Sequence, residues 1–186
     1  MANKKQVELL RQGIDKWNAW RDSPDAGEID LTDAELDGVN LSGADLVAVD
    51  LSWAHLNGAG LVRVKLNLAN LHKADLRGAD ISLAELSHAN LCEAKLNEAE
   101  LGDAVLCGAN LSGANFFRAI LDQANLSWAN LGGMNLQEAR LHETVFGDVD
   151  LSTVIGLETC IHDGQLPTPN FWARVLRFQA RVSRIV

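Results

Sequence analysis

Residues 41–91 read LSGADLVAVDLSWAHLNGAGLVRVKLNLANLHKADLRGADISLAELSHANL. Leucine or isoleucine returns every fifth residue, and alanine or valine stands two residues before each return. Followed in both directions, the step of five runs from Leu31 to Leu151 and covers 25 positions. Leucine fills 22 of them, and Ile81, Phe116 and Phe146 fill the rest. In the column two residues earlier, 18 are alanine and four are valine (Val39, Val49, Val64, Val149). Ile29, Met134 and Thr144 complete that column. The residue between the two columns is usually polar, as at Asp45, Asn70, Asp80, Asn110 and Asn130.

Neither regular element explains a period of five. An α-helix turns 100° per residue, so each step of five rotates the leucine by a net of about 140° and scatters it around the axis. In a strand, a step of five puts successive leucines on opposite faces. A square coil returns every leucine to the inside: one pentapeptide per side, four sides, 20 residues per turn. Leucine then points to the axis and alanine fills the space between leucines, large against small. Coils stacked like paired strands advance about 4.8 Å each, so about six coils predict a rod of roughly 30 Å.

The unbroken A-(D/N)-L-x-x register over residues 29–153 resembles the pentapeptide repeat protein family. That resemblance implies an all-β solenoid, a right-handed quadrilateral β-helix. The hand comes from the resemblance alone, because closure of the square leaves it open. The family is abundant in bacteria, notably photosynthetic ones, and most of its members of this regular, loop-free kind have no assigned role. Some relatives dimerise through a C-terminal segment. Those of the quinolone-resistance type imitate the charge and width of DNA and bind DNA gyrase.

The ends of a solenoid expose apolar surface and unpaired backbone, and they need caps. Residues 1–28 are read as an N-terminal cap built on an amphipathic helix over 4–21, with Val7, Leu10, Ile14 and Trp17 on one face. After residue 153 the register is lost. Residues 154–169 read as a loop, broken by Gly156, Gly164, Pro167 and Pro169. Residues 170–186 read as an amphipathic C-terminal helix. Its Trp172, Val175, Leu176, Phe178 and Val182 form a candidate surface for a partner or for self-association as a homodimer, opposite a stripe of Arg174, Arg177, Arg181 and Arg184. The same helix also reads as a cap on the last coil. An Arg-striped helix can lie on anionic lipid, which is a weaker, membrane-apposed adaptor reading.

Composition narrows the function. The chain has 186 residues, a net charge of -9 and 47% apolar residues, values of a globular and not a disordered protein. Acidity argues against direct nucleic-acid binding. The polar N-terminus and the lack of a long apolar run give a cytoplasmic expectation. Cys92, Cys107 and Cys160 are odd in number and at no ligand spacing, so no disulfide framework is expected.

Residues 20 apart stack in columns, which sorts the rod into four faces. Those centred on Leu31, Leu36, Leu41 and Leu46 carry -4, -2, -3 and -2. The candidate acidic face is the first, with Asp30, Asp33, Asp50 and Glu93. His72 and Cys92 share a column between Ser52 and Ser112, without a third group to make a nucleophilic site. His55 falls in a charge ladder between Glu35 and Asp75. No catalytic, cofactor-binding or metal-ligating constellation is read from the spacing, and no cofactor is expected. Outward Trp53 and Trp128 are expected to pack against the two caps. The expected function is therefore a non-catalytic scaffold that binds an unidentified protein partner, with the acidic DNA mimic as the alternative.

Overall fold

The computed structural model describes residues 2–24 and 26–162. The surface expected on Trp172, Val175, Leu176, Phe178 and Val182 lies outside the described residues.

From Asp30 onward each pentapeptide forms one side of a square. The inward leucine opens a tight turn that closes when the alanine three residues later donates its N–H to the leucine carbonyl, as from Ala74 to Leu71 at 3.0 Å. The third residue of that turn has positive φ at every step from Asp33 (φ 61°) to Asp148 (φ 50°). The second residue never does, which makes these type II turns and not type I′. Seventeen of the left-handed residues are not glycine, so the repeat holds ordinary side chains in a conformation that is uncommon elsewhere.

The polar residue after the alanine pairs in parallel with the residue 20 positions on: Asp30 with Asp50, Asn70 with Asn90, Asn90 with Asn110. Leu71 donates to the Asn90 carbonyl at 2.7 Å, and Asn90 returns an N–H to the Ala69 carbonyl at 2.9 Å. A pairing offset of 20 is four pentapeptides, so the square is closed by hydrogen bonds. Each side contributes a single paired residue, and the described residues form no longer strand. The interior is the two columns of the sequence: Leu36 to Leu141 and Ala44 to Ala139 are buried almost without exception. Phe116 enters the leucine column fully buried, while Phe146, near the end of the rod, is only partly covered.

The N-terminal segment differs from the single helix expected over 4–21. It is two helices, α1 (Lys4–Arg11) and α2 (Ile14–Arg21), broken at Gly13, whose φ of 123° no helix accommodates. The break folds α2 back so that both Leu10 and Trp17 are buried in the core cluster. Polar side chains satisfy the open edge of the first coil. Gln6 donates to the Glu28 carbonyl at 2.9 Å and accepts the Asp30 N–H at 3.0 Å. Trp17 Nε1 donates to the Asp45 carbonyl at 2.8 Å. Asn18 takes the Asp45 N–H and donates to Gly43. Arg11 and Arg21 donate to the carbonyls of Glu35 and Val47. The unpaired edge that invites aggregation in a bare solenoid is thereby closed.

The other end also departs from the reading. The loop expected from residue 154 does not begin there: the coil continues to residue 162. Ile155 pairs with Asn135, and Ile161 pairs with Arg140 at an offset of 21, so this coil holds one extra residue. A 3-10 turn over Leu157–Thr159 absorbs it. Gly156 stands where an inward leucine is due, left-handed at φ 84°, and any Cβ there would overlap the Gln137 backbone. Cys160 then drops into the small inward column above Ala139, fully buried.

Candidate functional site

A filled square leaves the outward surface as the place where function can reside. On the first face the paired position carries Asp30, Asp50, Asn70, Asn90, Asn110 and Asn130. The amides stack: each asparagine from Asn70 to Asn130 donates Nδ2 to the Oδ1 of the residue one coil before, at 2.9–3.1 Å. Each Oδ1 also accepts the backbone N–H two residues on, as from Ser52 to Asp50 at 2.8 Å. The acids of this face are thus partly spent on the fold. Hydrogen bonds from Thr32 hold the Asp30 carboxyl below the usual carboxylate range. Burial pushes Asp50 up, but the bonds from Ser52 and Asn70 outweigh it and hold it low as well. Glu93 pairs with Lys73 at 3.5 Å, and Asp33 lies 3.7 Å from His55 Nε2.

The other faces show the same local neutralisation. Asp75 holds Arg77 at 2.7 Å and Lys95 at 3.8 Å, Arg118 pairs with Glu138 at 2.7 Å, and Arg140 with Asp122 at 2.6 Å. Several of the rod's acids are therefore neutralised locally by a base one coil away or in the same repeat.

His72 and Cys92 are neighbours, but they do not form a thiol–imidazole pair. His72 Nδ1 lies 3.0 Å from the Cys92 carbonyl oxygen, and the Cys92 sulfur accepts the Ser112 hydroxyl at 3.3 Å. Trp53 does not pack beneath the N-terminal helices as expected. It stays 53% exposed, edge-on to His72 and with Lys73 Nζ 4.7 Å from its ring centroid. It stands in the second coil, whereas the side chains of α1 and α2 bond to the first, at Glu35, Gly43, Asp45 and Val47. Trp128, 67% exposed, donates Nε1 to Asp148 at 3.2 Å. Leu68 lies in the same outward column three coils earlier and is 63% exposed. Val105 and Val145 add exposed apolar surface to the same face.

One grouping escaped the spacing argument. Glu35 and His55 share a column, as expected. Asp37, two residues from Glu35 on the same face, joins them, and one ligand atom from each lies within 4.8 Å of the others. The column rule compared only residues at equal positions in their repeats, so it passed over Asp37.

The sequence matches the Pentapeptide repeats family in eight copies, over residues 25–52, 44–82, 84–123 and 119–155. The chain belongs to the pentapeptide repeat family. Membership assigns the square coil its hand, the right-handed quadrilateral β-helix. No curated protein matches the sequence. Among solved structures it is similar to HetL of the cyanobacterium Nostoc, a pentapeptide repeat protein involved in heterocyst differentiation regulation. The two are 32% identical over 76% of each chain, with a TM-score of 0.40. A second Nostoc pentapeptide repeat protein is also 32% identical, over 70% of this chain and 86% of the other, with a TM-score of 0.26. QnrB1, a plasmid-mediated fluoroquinolone resistance protein, is 22% identical over 82% of this chain and 85% of its own, with a TM-score of 0.46. Among the described residues no helix of this pentapeptide repeat protein is long and apolar enough to cross a membrane.

Proposed function

We propose that this pentapeptide repeat protein is a non-catalytic scaffold that presents a rigid, flat-sided surface to a protein partner. The observation that carries the reading is the filled interior. Among the described residues, leucine and alanine columns fill the axis of the rod and leave no room along it for the concave, water-excluding pocket that catalysis favours. What it offers instead is a fixed outward array in which Trp128 and Leu68 stand well exposed on one face. Large exposed side chains on a rigid support are the material of binding hot spots. The test is affinity capture from the native cell with immobilised wild type beside the variants Trp128→Ala and Leu68→Asp. A protein retained by wild type and lost from both variants supports the reading. Equal retention by all three, or none by wild type, sinks it.

The alternative is an acidic mimic of DNA acting on gyrase, and the net charge of -9 favours it. The paired acids of the rod weigh against it, because a mimic of a phosphate backbone needs unneutralised charge in register. A gyrase supercoiling assay with purified protein, with and without a quinolone, decides. Inhibition or protection from the drug supports the mimic, and no effect removes it.

A further inference from the structure

The geometry points to a divalent transition-metal site at the capped end of the rod, formed by Glu35, Asp37 and His55 on its second face. The three side chains come from two adjacent coils, and one ligand atom of each lies within 4.8 Å of the other two. Short side-chain rotations bring such a set to the separations of a metal's coordination shell, because each ligand sits about 2.0–2.2 Å from the ion. The backbones that carry them are fixed. His55 donates its N–H to Ala34 at 2.9 Å and accepts from Leu36 at 2.8 Å, which locks it against the strand position of Glu35. Asp37 Oδ1 accepts the Asn57 N–H at 2.7 Å, which orients the carboxylate.

The surrounding charge favours a cation. Asp33 places a third carboxylate 3.7 Å from His55 Nε2. Asp75, next in the His55 column, is already held by Arg77 and Lys95 and is not a ligand. Two bases lie close by, and both are engaged: the Arg11 guanidinium donates to the Glu35 carbonyl at 2.6 Å, and Arg77, which feels the Asp37 charge, is held by Asp75 at 2.7 Å. An imidazole beside two carboxylates suits zinc and its neighbours in the first transition row better than magnesium or calcium, which prefer oxygen alone. Three protein ligands on an exposed edge leave the remaining positions to water. A bound ion would tie the first coil to the second beneath α1.

The inference does not depend on the scaffold reading. Zinc chloride is titrated calorimetrically into the full-length protein after chelator treatment, and melting is followed with and without zinc. One zinc per chain and a melting temperature raised by zinc are expected, since a ligand of the folded state stabilises it. His55→Ala and Asp37→Asn each lower the affinity at least about tenfold. The asparagine keeps an oxygen for the Asn57 N–H, so its metal-free melting stays at the wild-type value. His142→Ala, on another face, leaves zinc binding unchanged. Wild-type affinity in His55→Ala, or displacement of zinc by an equal concentration of magnesium chloride, overturns the site.

Discussion

At the residue scale the repeat imposes three distinct demands, and each can be probed by one substitution. Leu86 is 1% exposed in the axial column. Leu86→Ala leaves a cavity between rigid coils and is expected to cost about 2–5 kcal/mol by denaturant unfolding. Leu86→Asp buries an unpaired charge and abolishes the folded signal in circular dichroism. The second demand is the left-handed turn. Gly78 has φ 62° with open space around it, so Gly78→Ala meets no clash and is expected to lose only about 1 kcal/mol, from backbone conformation alone. The third is the outward pairing of charge. The hydrogen bond from Arg77 holds the Asp75 carboxyl below its ordinary value, against the opposing effect of burial. A depressed folded-state pKa contributes stability above the unfolded value and loses it as pH falls through the folded one. Melting of wild type and Asp75→Asn should therefore differ near neutral pH and converge as the solution is acidified below the carboxylate range. A constant difference across that range contradicts the pairing.

At the scale of elements, legibility was uneven, and the reason is physical. The 25 repeats were plain because every one states the same steric requirement at the same place. The helical segment was plain as an apolar face, but its break was not. Val7, Leu10, Ile14 and Trp17 keep helical spacing across Gly13, and only the need to bury Trp17 and to reach the Asp45 carbonyl selects two helices. Trp17→Phe keeps most of the packing and removes that bond, so a loss of about 1 kcal/mol is expected in equilibrium unfolding. The final coil reads as a loop in the sequence because Gly156 and one extra residue hide the register. Cys160 shows that it is a coil: burial, with the Glu158 charge adding to it, pushes its thiol up to about 12. Native alkylation should label Cys92 and Cys107, both half-buried, and should reach Cys160 only after denaturation. Rapid native labelling of all three would show that the last coil is open.

At the scale of the whole molecule, the sequence by itself determined the architecture. A strict period of five, one large and one small apolar residue in each repeat, and no interruption leave a square, filled rod as the packed solution. The same period sorted the surface into faces and placed Glu35 beside His55 and His72 beside Cys92. Tertiary structure alone decided how those neighbours are used. It turned His72 onto a carbonyl oxygen, spent Asp30 and Asp50 on turns and amide ladders, and brought Asp37 to His55. It also joined Lys73, Arg118 and Arg140 to particular acids, Glu93, Glu138 and Asp122. The division follows from the forces involved. Burial of apolar side chains is insensitive to direction and is recorded in which positions are apolar. Hydrogen bonds and ion pairs depend on ångström distances and angles between side chains of different coils, and the order of residues along the chain does not contain them.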